Sequence, residues 1–232
     1  MSNFYLKQEF AMNELIFLFH LICISATTLI MLKFGIEALC SFLCVQAILA
    51  NLFVIKQISL FGFNATASDV YIVGSVLTLN LIQEYYGKEK ARMTIWISFG
   101  LLIFYTVVSQ IHIAYIPSPT DFAQEWYTAL LSYMPRITTA SIFVYLIVQH
   151  FDTYFYAILK RVFKGNYLVL RNMISITVSQ AFDTVLFSIL GLYGIIDNIT
   201  HVMIVSFSIK MVTMLLLMPA LVMIKKIVAK DH

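Results

Sequence analysis

The sequence predicts an all-α membrane protein: a polytopic bundle of six to seven transmembrane helices forming one domain over residues 1–232. Three observations carry that prediction. The chain is 61% hydrophobic and only 12% charged, far from the roughly 25% charged balance of soluble domains. Its mean hydropathy is +0.88. Its apolar runs recur at the length that crosses about 30 Å of hydrocarbon as a helix, with short polar joints between them. So little sequence lies outside these runs that the membrane part must carry the function.

Seven apolar segments follow one another, at 14–33, 37–56, 66–84, 92–116, 137–159, 172–195 and 202–227. The first follows "MSNFYLKQEFAMNE", where Glu9 and Glu14 stand in place of the basic residues of a signal peptide, so it reads as a spanning helix. The first two segments hold Cys23, Cys40 and Cys44. No His or acid stands at ligand spacing to them, which favours inert packing over a metal, and no cofactor is implied. The third segment is short and interrupted by Asp69, Gly74 and Asn80; a broken or re-entrant helix there would leave six full spans. Gly87 is placed to end it. The joint "IPSPTDFAQEWYTALLSYMPR" carries Trp126, Tyr127 and Tyr133 between prolines and reads as a short amphipathic helix at the membrane interface. Pro219 should kink the last segment.

The charges orient the bundle. Lys33, the group Lys88, Lys90 and Arg92, the group Lys160, Arg161, Lys164 and Arg171, and the tail Lys225, Lys226 and Lys230 all fall on one side. Lys7, Lys56 and Arg136 fall on the other, which by the positive-inside rule puts the N-terminus outside and the C-terminus in the cytoplasm. A net charge of +3, scattered this way, gives no surface for nucleic acid. Lys210 belongs to neither side, being well inside the last segment.

Within this apolar text one polar phrase occurs twice, "QHFDT" at 149–153 and "QAFDT" at 180–184. Each sets an amide and a carboxylate three residues apart, about one helical turn. Asp183 lies ~18 Å and Asp152 ~12 Å from the cytoplasmic ends of their helices at 1.5 Å per residue, so two antiparallel neighbours would present both pairs at similar depth. A carboxylate there costs at least about 2.5–3.5 kcal/mol, and must be paired, protonated or facing water. Lys210, Arg136 and Arg171 are the candidate partners. One reading is a structural ion pair, such as Asp183 with Lys210. The other is a ligand site, since a carboxylate accepts parallel N–H donors and a carboxamide both donates and accepts. That inventory suits the edge of a guanine-like base, with Phe151, Phe182, Tyr156 or Phe187 as a stacking surface. Glu84, in "NLIQEYYGKEKARMT", either lines a pathway or pairs with Lys88 at helical spacing. His20, His112, His150 and His201 show no ligand-like grouping and are expected in polar packing.

The runs "FNATASDVYIVGSVLTLNLIQEYYGKEKAR", "PRITTASIFVYLIVQHFD" and "RNMISITVSQAFDTVLFSILGLYG", with Lys210 and Pro219 beyond, together resemble the queuosine precursor transporters, a group of vitamin-uptake-transporter-like proteins. The likeness extends from about Asn51 to Pro219. It implies import of 7-deazaguanine bases across the bacterial inner membrane for tRNA modification, the substrates being 7-cyano-7-deazaguanine, 7-aminomethyl-7-deazaguanine or queuine. It also implies a bundle similar to the substrate-binding components of energy-coupling-factor transporters. Carried over by position, its site residues are Glu84, Arg136, Gln149, Asp152, Arg171, Asn172, Gln180, Asp183 and Lys210. The chain departs from the family pattern at Asn80, where Asp is usual, and in "RNMISIT". The first departure removes a carboxylate on which proton coupling would rely. On this reading Asp183 and Gln180 bind the N1–H and 2-amino edge of the base. Gln149 and Asp152 complete the pocket or accept the aminomethyl cation, and Arg136 and Lys210 keep the carboxylates ionised when it is empty.

Other classes stay in view. No Gly-rich phosphate loop is present, so a binding subunit of an energy-coupling-factor transporter would need an ATPase partner. An intramembrane enzyme would need its two aspartates to share a proton, and neither His-Glu-x-x-His nor Gly-x-Ser-x-Gly accompanies them. A purely structural membrane subunit is the last alternative. The expected partners are the lipid bilayer and a small nucleobase, with a homodimer compatible with the sequence.

Overall fold

The computed structural model describes residues 2–164 and 166–212. Each apolar segment holds a helix: α1 (Ser2–Phe34), α2 (Ile36–Phe53), α3 (Asp69–Tyr86), α4 (Lys88–Ala114), α6 (Met134–Val162), α7 (Leu168–Phe187) and α8 (Ile199–Val212), with the short α5 (Gln124–Leu131) in the joint before α6. Among the described residues, five stretches are long and apolar enough to cross a membrane: Met12–Phe34, Ile36–Phe53, Lys88–Ala114, Gln124–Val162 and Met173–Leu192. A shorter apolar helix spans Ile199–Val212. The chain is therefore a multi-pass helical membrane protein. The kink expected at Pro219 lies outside the described residues.

The third segment is not broken, although it is not one of the five stretches long and apolar enough to cross a membrane. It forms one helix from Asp69 through Gly74 and Asn80 to Tyr86 and stops where Gly87 takes a φ of 89°, a conformation that glycine adopts at little cost. A Cβ on Gly74 would overlap Ile24 Cγ2 and Gln46 Oε1, so the missing side chain lets α1, α2 and α3 approach closely. Buried hydroxyls and an amide tie the three together. Gln46 Nε2 donates to Thr78 Oγ1 at 3.1 Å, and Thr28 Oγ1 lies 3.4 Å from the same oxygen.

One element departs from the all-helical expectation. Residues Gln57–Leu60 and Phe63–Thr66 pair as an antiparallel hairpin, β1 and β2. Its two-residue turn has positive φ at both Phe61 (52°) and Gly62 (81°), the geometry that suits the right-handed twist of paired strands. Glu14 of α1 holds the turn by accepting the Phe61 N–H at 2.7 Å. Leu60 and Ala65 are fully buried and join Phe17, Ile24, Val70 and Val205 in one apolar cluster. The hairpin thereby covers the end of the bundle where α1, α3 and α8 meet.

The joint before α6 is the short helix expected. Asp121 accepts the Ala123 and Gln124 N–H groups at 3.0 and 3.1 Å, satisfying two of the donors a helix start leaves open. Trp126, Tyr127 and Tyr133 are exposed along it. A second apolar cluster, with Val54, Leu131, Met134, Ile137, Leu192 and Val202, fastens this joint to α2, α8 and the π-helical turn Ser188–Leu192 that follows α7. At the other end of the bundle Leu39, Ile82 and Ala91 pack together, next to the basic start of α4.

Candidate functional site

Helices α6 and α7 are close neighbours, and between them lies a cavity of ≈ 230 Å³. It is lined by Tyr145, Val148, Gln149 and Asp152 of α6 and by Ile176, Ser179, Gln180 and Asp183 of α7. Both sets fall at i, i+3, i+4 and i+7, one continuous face of a helix. The repeated phrase is therefore the polar half of two facing surfaces, and the structure brings Gln149, Asp152, Gln180 and Asp183 into one cavity.

The two carboxylates are held differently. Asp152 Oδ1 accepts hydrogen bonds from Ser175 Oγ and Ser179 Oγ, both at 2.7 Å. Asp183 Oδ2 accepts a hydrogen bond from Lys210 Nζ at 2.6 Å, and the same ammonium donates to Thr184 Oγ1 at 3.1 Å. The side chains of this ion pair are 10% exposed at Lys210 and 29% at Asp183, so Asp183 keeps a face open toward the cavity. Lys210 thus has the partner the sequence proposed for it.

Other expected residues lie elsewhere. Among the described residues, Arg136 meets no carboxylate. Its Nε donates to Leu190 O at 2.9 Å and its Nη2 to Tyr193 O at 2.6 Å, carbonyls at the end of the π-helical turn, where helix geometry leaves acceptors unpaired. Arg171 is buried, 3% exposed, with its guanidinium carbon 5.5 Å from the centre of the Tyr156 ring. Its Nε and Nη1 have no hydrogen-bond partner among the described residues. Glu84 is exposed near the end of α3 and does not line this cavity. Asn172 lies in α7, and its side chain is outside the described ones.

The aromatic wall is also not the one expected. Phe151 stacks on Phe155 at 5.5 Å and meets Phe182 at 4.7 Å, while Phe187 packs against the second apolar cluster. None of the three phenylalanines Phe151, Phe182 and Phe187, nor Tyr156, lines the cavity. Tyr145 does, braced edge-on by Phe99 of α4 at 5.1 Å. One signal could have found it, since Tyr145 stands one turn before Gln149 on the same helical face.

A polytopic bundle with a small cavity of amides and carboxylates between two helices has the form expected of a membrane carrier for a small solute. Comparison with known proteins agrees. The family described as "Putative vitamin uptake transporter" matches residues 66–224. The chain is 30% identical over 202 residues to a protein of Bacillus subtilis (strain 168) named "Probable queuosine precursor transporter", covering 86% of this chain and 88% of that relative. No solved structure gives a significant match. The chain belongs to the vitamin uptake transporter family, a family of transporters rather than of enzymes.

Proposed function

We propose that this protein imports 7-deazaguanine bases across the bacterial inner membrane, and that the cavity between α6 and α7 is where the base binds. The observation that carries the reading is the convergence of Gln149, Asp152, Gln180 and Asp183 on one small cavity. Such a base offers an N1–H and a 2-amino group side by side, the donor pair that a carboxylate accepts in parallel. A carboxamide beside it reads the adjoining carbonyl and N–H. Asp183 with Gln180 takes that edge, Gln149 and Asp152 the opposite one, and Tyr145 supplies a ring face. At ≈ 230 Å³ the cavity is smaller than the ~300–1,000 Å³ sites of drug-sized ligands, which favours a free base over a nucleoside. The positive-inside rule puts the basic ends of the helices in the cytoplasm and the hairpin outside.

The test is Asp183→Asn in the purified protein. Each charge-assisted hydrogen bond to the base is worth about 1.5–3 kcal/mol, so affinity for 7-cyano-7-deazaguanine should fall about 10- to 100-fold. Uptake should fall with it while membrane insertion persists. Unchanged affinity with a lowered unfolding temperature would instead favour the structural reading of the Asp183–Lys210 pair. Uptake by the chain alone in proteoliposomes separates a self-sufficient carrier from the binding subunit of an ATPase-driven one.

A further inference from the structure

Among the described residues, the most deeply buried carboxylate lies outside this cavity. Asp69, at the first turn of α3, is 2% exposed. Ser206 Oγ of α8 donates to it, lying 2.9 Å from both of its oxygens. One hydroxyl hydrogen cannot fully serve two acceptors, whereas a protonated Asp69 completes the ring by donating its own O–H back to Ser206 Oγ. Thr66 of β2 is the other neutral neighbour. The cation that acts on Asp69 through space is Lys210, four residues beyond Ser206 on the same face of α8, and its ammonium is engaged by Asp183. Close by in the chain, His20, Lys56 and Tyr71 line a cavity of ≈ 210 Å³ together with Ala67, two residues before Asp69, and Val70, the residue after it. Among the described residues none of those three donates to the carboxylate. Asp69 is thus a buried acid whose hydrogen-bond donor is neutral and whose nearest cation is held elsewhere. Burying it ionised in that setting carries a large desolvation cost.

We propose that Lys210 is a cation shared by two carboxylates: a base that takes both oxygens of Asp183 displaces it toward Asp69, which then gives up a proton. In the empty carrier Lys210 is paired with Asp183, and Asp69 holds the proton. The incoming N–H pair competes with Nζ for Asp183 Oδ2, and the flexible four-carbon stem of lysine lets the ammonium turn toward Asp69. There it pairs with the carboxylate as the O–H proton departs, through the cavity beside Ala67 and Val70. Charge balances: one cation moves from one carboxylate to the other, and one proton leaves for water. Binding that releases a proton is favoured by rising pH, so affinity should climb about tenfold per pH unit where the empty carrier holds the Asp69 proton and level off above it.

This inference rests on the base-binding reading for its ligand, and the experiment keeps the two apart. Calorimetric titration of the wild-type protein with 7-cyano-7-deazaguanine, at a pH where its affinity still climbs and in two buffers of different ionisation heat, should show close to one proton released per base bound. Asp69→Asn should bind the base with no proton release and with an affinity that is flat in pH. Should Asp69→Asn fail to fold, Asp69→Ser decides, because its short hydroxyl carries no acidic proton and release should again vanish. Proton release retained in either variant overturns the proposal. If the wild-type protein binds no deazaguanine, the base-binding reading fails and the exchange is tested without ligand. Asp183→Asn deprives Lys210 of its present partner, so it should remove the infrared band of a protonated carboxyl that Asp69→Asn also removes. A band that survives in Asp183→Asn overturns the shared cation.

Discussion

At the scale of single residues, some charged groups in this bundle face a cavity and others finish backbone. Asp183 is of the first kind and Arg136 of the second, although the sequence offers both as ionisable residues near the membrane. Their replacements should separate cleanly. Arg136→Ala removes hydrogen bonds to Leu190 O and Tyr193 O, and at this exposed position the loss should cost about 1–2 kcal/mol of stability. Base affinity should stay at the wild-type level, with the unfolding temperature and the calorimetric affinity as the two readouts. A fall in affinity without a fall in stability would place Arg136 in the site after all. The sequence could not distinguish these roles, because a carbonyl acceptor belongs to the backbone and leaves no mark in the residue types. Asp183 and Lys210 were legible because both are side chains, and an ionised side chain in hydrocarbon demands a partner.

At the scale of elements, the repeated Gln-x-x-Asp phrase comes to line one cavity through helix periodicity and antiparallel succession, both of which can be read from sequence. The hairpin was not legible. In "QISLFGFNAT" the alternation of polar and apolar residues lasts only four residues on each side, within what reads as the end of one apolar segment and the start of the next, and the turn is Phe-Gly rather than the Asn-Gly or Asp-Gly that marks this geometry. Its stability comes from contacts distant in sequence, with Glu14 on the turn and Leu60 against α1, α3 and α8. Likewise, Gly74 looked like an interruption of the third segment, yet it is the point where three helices come together. Gly74→Val should force Ile24 and Gln46 aside and break the Gln46–Thr78 contact. A cost of about 1–3 kcal/mol is expected for such overpacking, read as a lower unfolding temperature in detergent. An unfolding temperature equal to that of the wild-type protein would mean that the helices have room to separate there.

At the scale of the whole molecule, the two ends of the bundle differ in chemistry. One end carries Lys33, Lys88, Lys90, Arg92, Lys160, Arg161 and Lys164, close to the ends of α1, α4 and α6. The other carries the hairpin, α5 and Asp197, with Lys56 and Arg136 as its basic residues near helix ends. An anionic cytoplasmic leaflet and the insertion machinery favour the first end inside. This orientation puts Asp69, just beneath the hairpin, nearer the outer water than Asp183. Protons exchanged at Asp69 and bases entering between α6 and α7 would then approach from the same side of the membrane. The orientation can be checked with Cys23, Cys40 and Cys44 replaced by Ala. In that background Phe61→Cys, at the exposed turn of the hairpin, should react in intact cells with a membrane-impermeant maleimide. Lys164→Cys, at the end of α6, should react only after the cells are opened. The opposite pattern would invert the protein and turn the Asp69 cavity toward the cytoplasm.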